Sequence, residues 1–144
     1  MLRMFLEGVE TVYVDDEVDP DYGFTEYLNK TDAPVVFRRV KGYPSLNVVG
    51  NLCSSRRMIS KALKVPYEHL QEAWANALEH PKPYEYADYA EFMENVYEKP
   101  DIIEYLPFPI FYRGLKRRYA TGTIVLARDP ETGRMNASFH RLML

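Results

Sequence analysis

A predicted β-hairpin at residues 118–141 constrains the fold of this 144-residue chain more than any other stretch. A β-branched and apolar run at residues 123–127 is typical of its first strand. A turn then follows, because Pro130 presets φ near about −65°, Asp129 can hydrogen-bond the backbone two residues further on, and Gly133 accepts a positive φ. The chain must therefore accommodate an antiparallel strand pair near its carboxyl end.

The return strand of this hairpin carries a row of polar side chains on one face. Side chains alternate between the two faces of a strand, so Asn136, Ser138 and His140 share one face and Arg141 lies on the other. Polar groups on a strand are costly to bury unless they are paired. On periodicity alone, a solvent-exposed face is favoured over a binding site.

The same hairpin residues resemble the signature of the UbiD-like decarboxylases, a family that uses prenylated flavin mononucleotide (prenylated FMN). Further motifs that resemble this family agree in order and spacing along nearly the whole chain. The matching residues are 2–6, 18–20, 35–37, 41–43, 51–57, 102–109, 119, 121, 129–133 and 136–141. Family members are several times longer, so the resemblance implies the N-terminal part, or one subunit, of such an enzyme.

The resemblance assigns expected roles to hairpin residues. It implies that the amide oxygen of Asn136 binds Mn²⁺, which holds the flavin phosphate; an oxygen ligand suits this hard cation. The implied cofactor-binding residues are Thr121, Ser138, Phe139, His140 and Arg141. Arg141 is also the expected catalytic residue, since a guanidinium fork matches the substrate carboxylate. Because Asn136 and Arg141 lie on opposite faces of a regular strand, a shared site requires a bulge, which we expect near Phe139.

The implied reaction is reversible, non-oxidative decarboxylation of an aromatic or α,β-unsaturated carboxylic acid with prenylated FMN and Mn²⁺. The family's further metal ligands, a His and a Glu, and its proton-handling Glu-Arg-Glu network are expected outside residues 1–144. The chain alone is therefore expected to be inactive, and its expected partners are a small carboxylic acid, a second chain that supplies the missing domain, and further copies of itself.

Two other functions are compatible with the sequence. The first is a non-catalytic interaction or regulatory domain derived from the same fold. The second is a nucleic-acid-binding module that uses the basic residues. These residues are Arg38, Arg39, Arg56, Arg57, Arg113, Lys116, Arg117 and Arg118. The formal net charge of −3 argues against the nucleic-acid function, and we expect no nucleic-acid partner.

Composition and cysteine usage favour a cytoplasmic globular protein. Hydrophobic residues make up 47% of the chain, yet no run is long enough for a membrane span, and we expect none. The single cysteine, Cys53, excludes an internal disulfide and is expected to be a small buried residue. The three histidines are too dispersed for a metal motif, and the apolar start of the chain is interrupted by Arg3, unlike a secretory signal.

The pattern predicts an α+β fold: a mixed sheet with helices at residues 1–106, then, at residues 107–144, the first hairpin of a split-barrel flavin-binding domain. Predicted helices are 2–9, one opened by Asp19 and Pro20, 56–63 capped by Ser54 or Ser55, and 66–78. Predicted strands are 11–14, 35–37, 46–49 and 84–87, with 91–96 ambiguous and 102–109 an extended crossover. Gly23 is expected to weaken its helix by about 1 kcal/mol relative to alanine. Trp74 is expected to pack against the sheet.

Overall fold

The computed structural model describes residues 2–83 and 85–144. Its elements alternate between helix and strand in the first part of the chain and end in two long strands. In order they are α1 (Leu2–Glu7), β1 (Val12–Val18), α2 (Gly23–Leu28), β2 (Val35–Val40), β3 (Val48–Gly50), α3 (Arg56–Leu63), a 3₁₀ turn (Tyr67–His69), α4 (Leu70–Glu79), a second 3₁₀ turn (Glu91–Glu94), α5 (Ile102–Tyr105), β4 (Tyr119–Arg128) and β5 (Met135–Met143). The predicted α+β class is confirmed in this form.

The first sheet is small and mixed, with strand order β1-β2-β3. β1 runs parallel to β2, and β3 runs antiparallel to β2. The strands predicted at residues 35–37 and 46–49 could pair as a hairpin through the loop at residues 42–45, and the pairing of β2 with β3 confirms this. Since β2 has a neighbour on each side, it is the strand on which the core is built.

The core of this sheet is aliphatic and aromatic and lies against α2. Phe37 of β2 has no exposed surface, and its ring centroid lies 4.7 Å from that of Phe24 and 5.7 Å from that of Tyr27 in an edge-on arrangement. Val14 and Val18 of β1 complete the buried face. Such tilted and edge-on aromatic pairs add to the stabilisation that burial provides.

The start of α2 differs from the prediction. Asp19 and Pro20 were expected to cap the helix and to begin it, but α2 begins at Gly23. The Asp19 carboxylate instead accepts a hydrogen bond from the backbone N–H of Asp21 at 2.9 Å, and Tyr22 then adopts a left-handed conformation with φ of 72°. This short turn satisfies the local amides before the helix can form.

Gly23 is a requirement of the packing between α2 and β1. A Cβ atom at this position would lie 2.8 Å from Cγ1 of Val18. The valine side chain is stiff and is buried in the core. Replacing Gly23 by alanine would therefore introduce a clash that offsets the gain in helix propensity which the sequence pattern suggested.

Of the two helices predicted after the sheet, 56–63 is correct in extent, whereas the predicted helix 66–78 is a 3₁₀ turn at Tyr67–His69 followed by α4 at Leu70–Glu79. Ser55 caps α3, and its hydroxyl accepts a hydrogen bond from Met58 N–H at 3.3 Å. In α4, however, the Trp74 side chain is 62% exposed and Leu78 is 69% exposed, so the expected packing of Trp74 on the sheet is wrong. Both side chains line an open apolar groove that α4 forms with α3. None of the helices in the described part of the chain is long and apolar enough to cross a membrane.

The segment between α4 and β4 contains less strand than predicted. Tyr84 lies outside the described residues, and residues 85–87 are not a strand. The ambiguous stretch that follows forms the second 3₁₀ turn. Residues 102–105 form the one-turn helix α5 instead of an extended crossover, because the Asp101 carboxylate caps it by accepting from Ile103 N–H at 3.1 Å. Only the part after α5 is extended.

Replacing Phe37 by alanine should cost about 3–5 kcal/mol of unfolding free energy, because the cavity would lie in the fully buried core. The matched control is Phe139→Ala, since Phe139 is 79% exposed and its truncation should change stability by no more than about 0.5 kcal/mol. Urea denaturation followed by circular dichroism measures both. Equal losses in the two variants would contradict this assignment of the core.

Candidate functional site

The predicted hairpin is present and places its polar residues as the alternation suggested. β4 and β5 form an antiparallel two-stranded sheet. Asn136, Ser138 and His140 occupy alternate positions of β5 and so share one face. Ser138 Oγ lies 2.8 Å from His140 Nε2, within hydrogen-bond distance. One face of the strand therefore presents an amide, a hydroxyl and an imidazole in a row.

The turn of the hairpin is held by the Asp129 side chain. Its carboxylate accepts hydrogen bonds from the backbone N–H groups of Glu131 and Thr132, both at 2.8 Å. These two bonds hold the pKa of Asp129 below its ordinary value, because they favour the charged form. Gly133 adopts a φ of 71° and donates its N–H to the Asp129 carbonyl at 2.9 Å. The roles predicted for Asp129 and Gly133 are confirmed.

A β-bulge lies in the hairpin, but on the strand opposite to the one expected. In the register of the pair, Ala120 faces Leu142 and Thr123 faces His140. Two residues of β4, Thr121 and Gly122, therefore oppose the single residue Arg141 of β5. Gly122 has a φ of 140°, a conformation that favours glycine.

The expected bulge near Phe139 is therefore wrong. Phe139 pairs regularly with Ile124, and β5 continues without interruption from Met135 to Met143. The sequence signal for the actual bulge was Gly122, an isolated glycine within a strand pattern. Arg141 consequently stays on the face opposite to Asn136.

The predicted site residues thus fall into two groups. Asn136, Ser138 and His140 form the first group, on one face of β5. Phe139 and Arg141 lie on the other face, and Thr121 lies at the bulge opposite Arg141. The side chain of Ser138 is half-buried, whereas the other site residues named here are exposed. The hairpin alone does not enclose a ligand.

The donor set of the first group fits part of a metal and phosphate site. An amide oxygen is a suitable ligand for Mn²⁺, and a hydroxyl and an imidazole can donate hydrogen bonds to phosphate. Within residues 2–83 and 85–144, no cluster of three His, Cys, Asp or Glu side chains could hold a metal ion.

Two arginines beside Asn136 were not singled out from the sequence. Arg128 and Arg134 line a cavity of about 530 Å³ at the turn end of the hairpin, together with Asn136. Arg128 also donates a hydrogen bond to the Tyr86 hydroxyl at 3.2 Å. Their position in the sequence could have identified them, because Arg128 precedes and Arg134 follows the turn at residues 129–133. These two arginines place positive charge next to Asn136, the residue expected to bind the metal.

The basic residues considered for nucleic-acid binding include several that contact other protein groups. Arg38 pairs with Asp15 at 3.0 Å, and Arg118 pairs with Asp21 at 2.6 Å. The Arg57 guanidinium lies 5.9 Å from the ring centroid of Tyr67. These contacts give such cations structural roles. Cys53, in turn, is exposed, so its expected burial is wrong.

Comparison with known proteins identifies the class. Residues 7–78 match the N-terminal domain of 3-octaprenyl-4-hydroxybenzoate carboxy-lyase, and residues 85–144 match the Rift-related domain of the same enzyme. The chain is therefore built from domains of a carboxy-lyase class. It belongs to the UbiD family. The domain boundary expected near residue 106 stays a prediction.

Relatives of this chain are considerably longer. It is 32% identical to the anhydromevalonate phosphate decarboxylase of Methanocaldococcus jannaschii and 28% identical to that of Methanothermobacter thermautotrophicus, in each case over 99% of this chain. These matches cover 33% and 34% of the two relatives. The chain therefore spans about a third of their length.

Solved structures agree with this placement. The UbiD-class enzyme HmfF from Pelotomaculum thermopropionicum, in complex with FMN, superposes with a TM-score of 0.90 at 34% identity, over 97% of this chain and 33% of HmfF. An evolved dimeric form of HmfF in complex with prFMN gives the same TM-score. The fold of this chain is thus that of one third of a UbiD-class enzyme.

Lowering the pH should loosen the hairpin turn through Asp129. Its folded-state pKa is depressed, so its stabilising effect is complete above the ordinary value of 3.8 and is lost as the pH falls through the lower folded-state pKa. NMR amide shifts of Glu131 and Thr132, followed from about pH 6 to about pH 2, should report the loss. Asp129→Asn keeps the acceptor oxygen without the titration and should remove this transition. The same transition in Asp129→Asn would contradict the assignment to this carboxylate.

Proposed function

We propose that this chain is the N-terminal part, or one subunit, of a UbiD-class (de)carboxylase that uses prenylated FMN. The substrates would be aromatic or α,β-unsaturated carboxylic acids, and the reaction would be non-oxidative. The observation that carries the proposal is the row of Asn136, Ser138 and His140 on one face of a hairpin. The membership of this chain in the UbiD family supports it further. In this proposal, residues 107–144 begin a split-barrel flavin-binding domain.

In this proposal, different hairpin residues bind the metal and the cofactor. Asn136 would hold Mn²⁺ through its amide oxygen, and Ser138 and His140 would bind the cofactor together with Thr121 and Phe139. Prenylated FMN, when bound, supplies the covalent chemistry of decarboxylation. The protein supplies position and charge, and positive groups beside Asn136 would help to neutralise the phosphate.

Arg141 would bind the substrate carboxylate, although it lies on the other face of β5. A guanidinium presents its donors in a planar fork that matches a carboxylate with two parallel hydrogen bonds. The bulge opposite Arg141 bends β4 locally and raises the twist of the strand pair at this end of the hairpin. We propose that the long side chain of Arg141 reaches the cofactor around this twisted end of the hairpin.

The proposed site needs groups beyond those described here. Asn136 alone cannot hold Mn²⁺ tightly, and the proton-transferring acid would also come from a further domain or a second chain. We propose the cytoplasm as the compartment, since the exposed thiol of Cys53 would be kept reduced there. We also propose that the chain assembles into homo-oligomers.

The function can be tested by a chimera with a relative. The chain would replace the matched third of the Methanocaldococcus jannaschii enzyme, which is 32% identical over this stretch. The chimera, loaded with prenylated FMN and Mn²⁺, should release CO₂ from anhydromevalonate phosphate, whereas the isolated chain should neither retain flavin through gel filtration nor decarboxylate. A folded chimera that does not bind prenylated FMN would favour a non-catalytic interaction domain, and stoichiometric flavin on the isolated chain would show that the site is complete without further groups.

The role of Arg141 can be tested in the same chimera. Arg141→Lys should keep the fold and the bound flavin but lose most of the turnover, because a point charge does not reproduce the planar fork. Arg117→Lys is the matched control, since Arg117 is exposed and outside the site. CO₂ release and flavin absorbance measure the two effects separately. Near-normal turnover of Arg141→Lys would show that the proposed role is wrong.

The isolated chain should self-associate through the outer edge of β5. This strand ends in apolar residues that are exposed, Leu142 at 42% and Met143 at 58%, and an apolar strand edge is a template for pairing. Met143→Lys, or deletion of residues 142–144, should shift the assembly toward monomer in light scattering. Trp74→Lys, on the exposed face of α4, should leave it unchanged. A wild-type chain that stays monomeric at high micromolar concentration would contradict this prediction.

A further inference from the structure

The segment between α5 and β4 is anchored to the loop that precedes α2. Tyr22 N–H donates to the Ile110 carbonyl at 2.7 Å, and Ile110 N–H donates to the Pro20 carbonyl at 3.2 Å. The Thr25 hydroxyl donates to the carbonyl of Phe111 at 2.8 Å. These bonds attach the segment to α2 and to the loop before it, ahead of the start of β4. They do not by themselves determine how the hairpin is oriented.

Arg118 makes the contacts that reach from this anchor to the hairpin. Its Nη1 donates to the Phe108 carbonyl at 2.6 Å, and its Nη2 lies 2.6 Å from Asp21 Oδ1. Its own carbonyl accepts from Leu144 N–H at 3.0 Å, at the open end of the hairpin. A single residue thus contacts the N-terminal domain, the connecting segment and the end of the chain that follows β5.

The charges at this junction explain why an arginine suits the position. Asp21 Oδ1 is buried and, among the described residues, has no hydrogen-bond partner of good geometry, so the Arg118 guanidinium is the charge that compensates it. Nearby, Lys41 Nζ binds Asp19 Oδ2 at 2.8 Å. The Lys41 hydrogen bond is the main cause of a lowered pKa of Asp19, and the charge of Arg118 adds to it. The planar fork of Arg118 serves both groups at once, because Nη1 faces the Phe108 carbonyl while Nη2 faces Asp21.

We propose that Arg118 is a positioning residue that fixes the orientation of the β4–β5 hairpin against the N-terminal sheet. It acts through Asp21 on one side and the Phe108 carbonyl on the other. The positioning itself requires no cofactor. Its importance for catalysis rests on the proposed function, because Asn136 and Arg141 are both carried by the hairpin. Loss of these Arg118 contacts would leave β4 and β5 paired. The hairpin, with Asn136 and Arg141, would then change its orientation relative to the N-terminal sheet.

The inference can be tested by distances between two spin labels on the full chain. Cys53 is the only cysteine and is exposed, so it takes one label in the N-terminal domain. Glu131→Cys, in the exposed turn of the hairpin, takes the other. Pulsed electron paramagnetic resonance should give a narrow distribution of label-to-label distances for the Glu131→Cys protein labelled at both cysteines. The distribution should be at least about twofold wider when Arg118→Ala is added. Arg118→Lys should be intermediate, because lysine keeps the positive charge beside Asp21 but lacks the two separately placed Nη donors of the fork.

Two controls separate orientation from folding. Arg117→Ala, at the exposed neighbouring arginine, should keep the narrow distribution. Amide hydrogen exchange of Val125 should stay slow in Arg118→Ala, which shows that the hairpin itself is still paired. Where Arg118→Ala does not fold, Asp21→Asn removes the charge at nearly constant size and should broaden the distribution in the same way.

Unchanged widths in Arg118→Ala and Asp21→Asn would overturn the proposal, as would equal broadening in Arg117→Ala. Neither result involves flavin or turnover. Failure of this inference is thereby distinguishable from failure of the proposed enzymatic function, which the chimera tests.

Discussion

The burial of β2 is the constraint on which the rest of this structure depends. Val35 and Phe37 have no exposed surface, and the parallel pairing with β1 and the antiparallel pairing with β3 both require that strand. The aromatic contacts of Phe37 hold α2, and α2 in turn fixes the loop to which the later part of the chain is attached. The small sheet is therefore a platform for the hairpin as well as a core.

The hairpin has little core of its own. Ile124 and Leu126 of β4 are 58% and 67% exposed, and an isolated two-stranded hairpin is marginally stable in water. Its geometry rests on polar contacts at both ends, the Asp129 turn at one and the Arg118 junction at the other. A candidate site built on such a hairpin depends on these end contacts more than on packing.

Local signals in the sequence predicted most of the elements. The hairpin turn, the Ser55 cap and the pairing of β2 with β3 follow from turn chemistry, capping and apolar runs that act over a few residues. The failures have both tertiary and local causes. The apolar stripe of α4 predicted burial of Trp74, but a stripe does not say whether a partner is present to cover it. Asp19 has the side chain of a helix cap, yet its carboxylate closes a turn before the helix.

The candidate site shows the same division between local and long-range information. The shared face of Asn136, Ser138 and His140 follows from alternation alone. The position of the bulge does not, because it depends on the register of two strands; only Gly122 gave a local hint. The ion pair of Arg118 with Asp21 joins residues far apart in the chain, and no pattern in a single sequence reveals such a pair.

The two faces of β5 carry different functions in the proposed enzyme. In the proposed enzyme, anchoring of the metal and phosphate lies on the face of Asn136, and recognition of the carboxylate lies on the face of Arg141. Substitutions on one face leave the spacing on the other unchanged, because neighbouring side chains of a strand point in opposite directions. Carboxylate recognition at Arg141 could therefore diverge during evolution while the metal anchor at Asn136 is kept. A slip of one residue in register would exchange the two faces of β5. The register is fixed by the Asp129 turn at one end of the hairpin and by the bulge at Thr121 and Gly122 near the other.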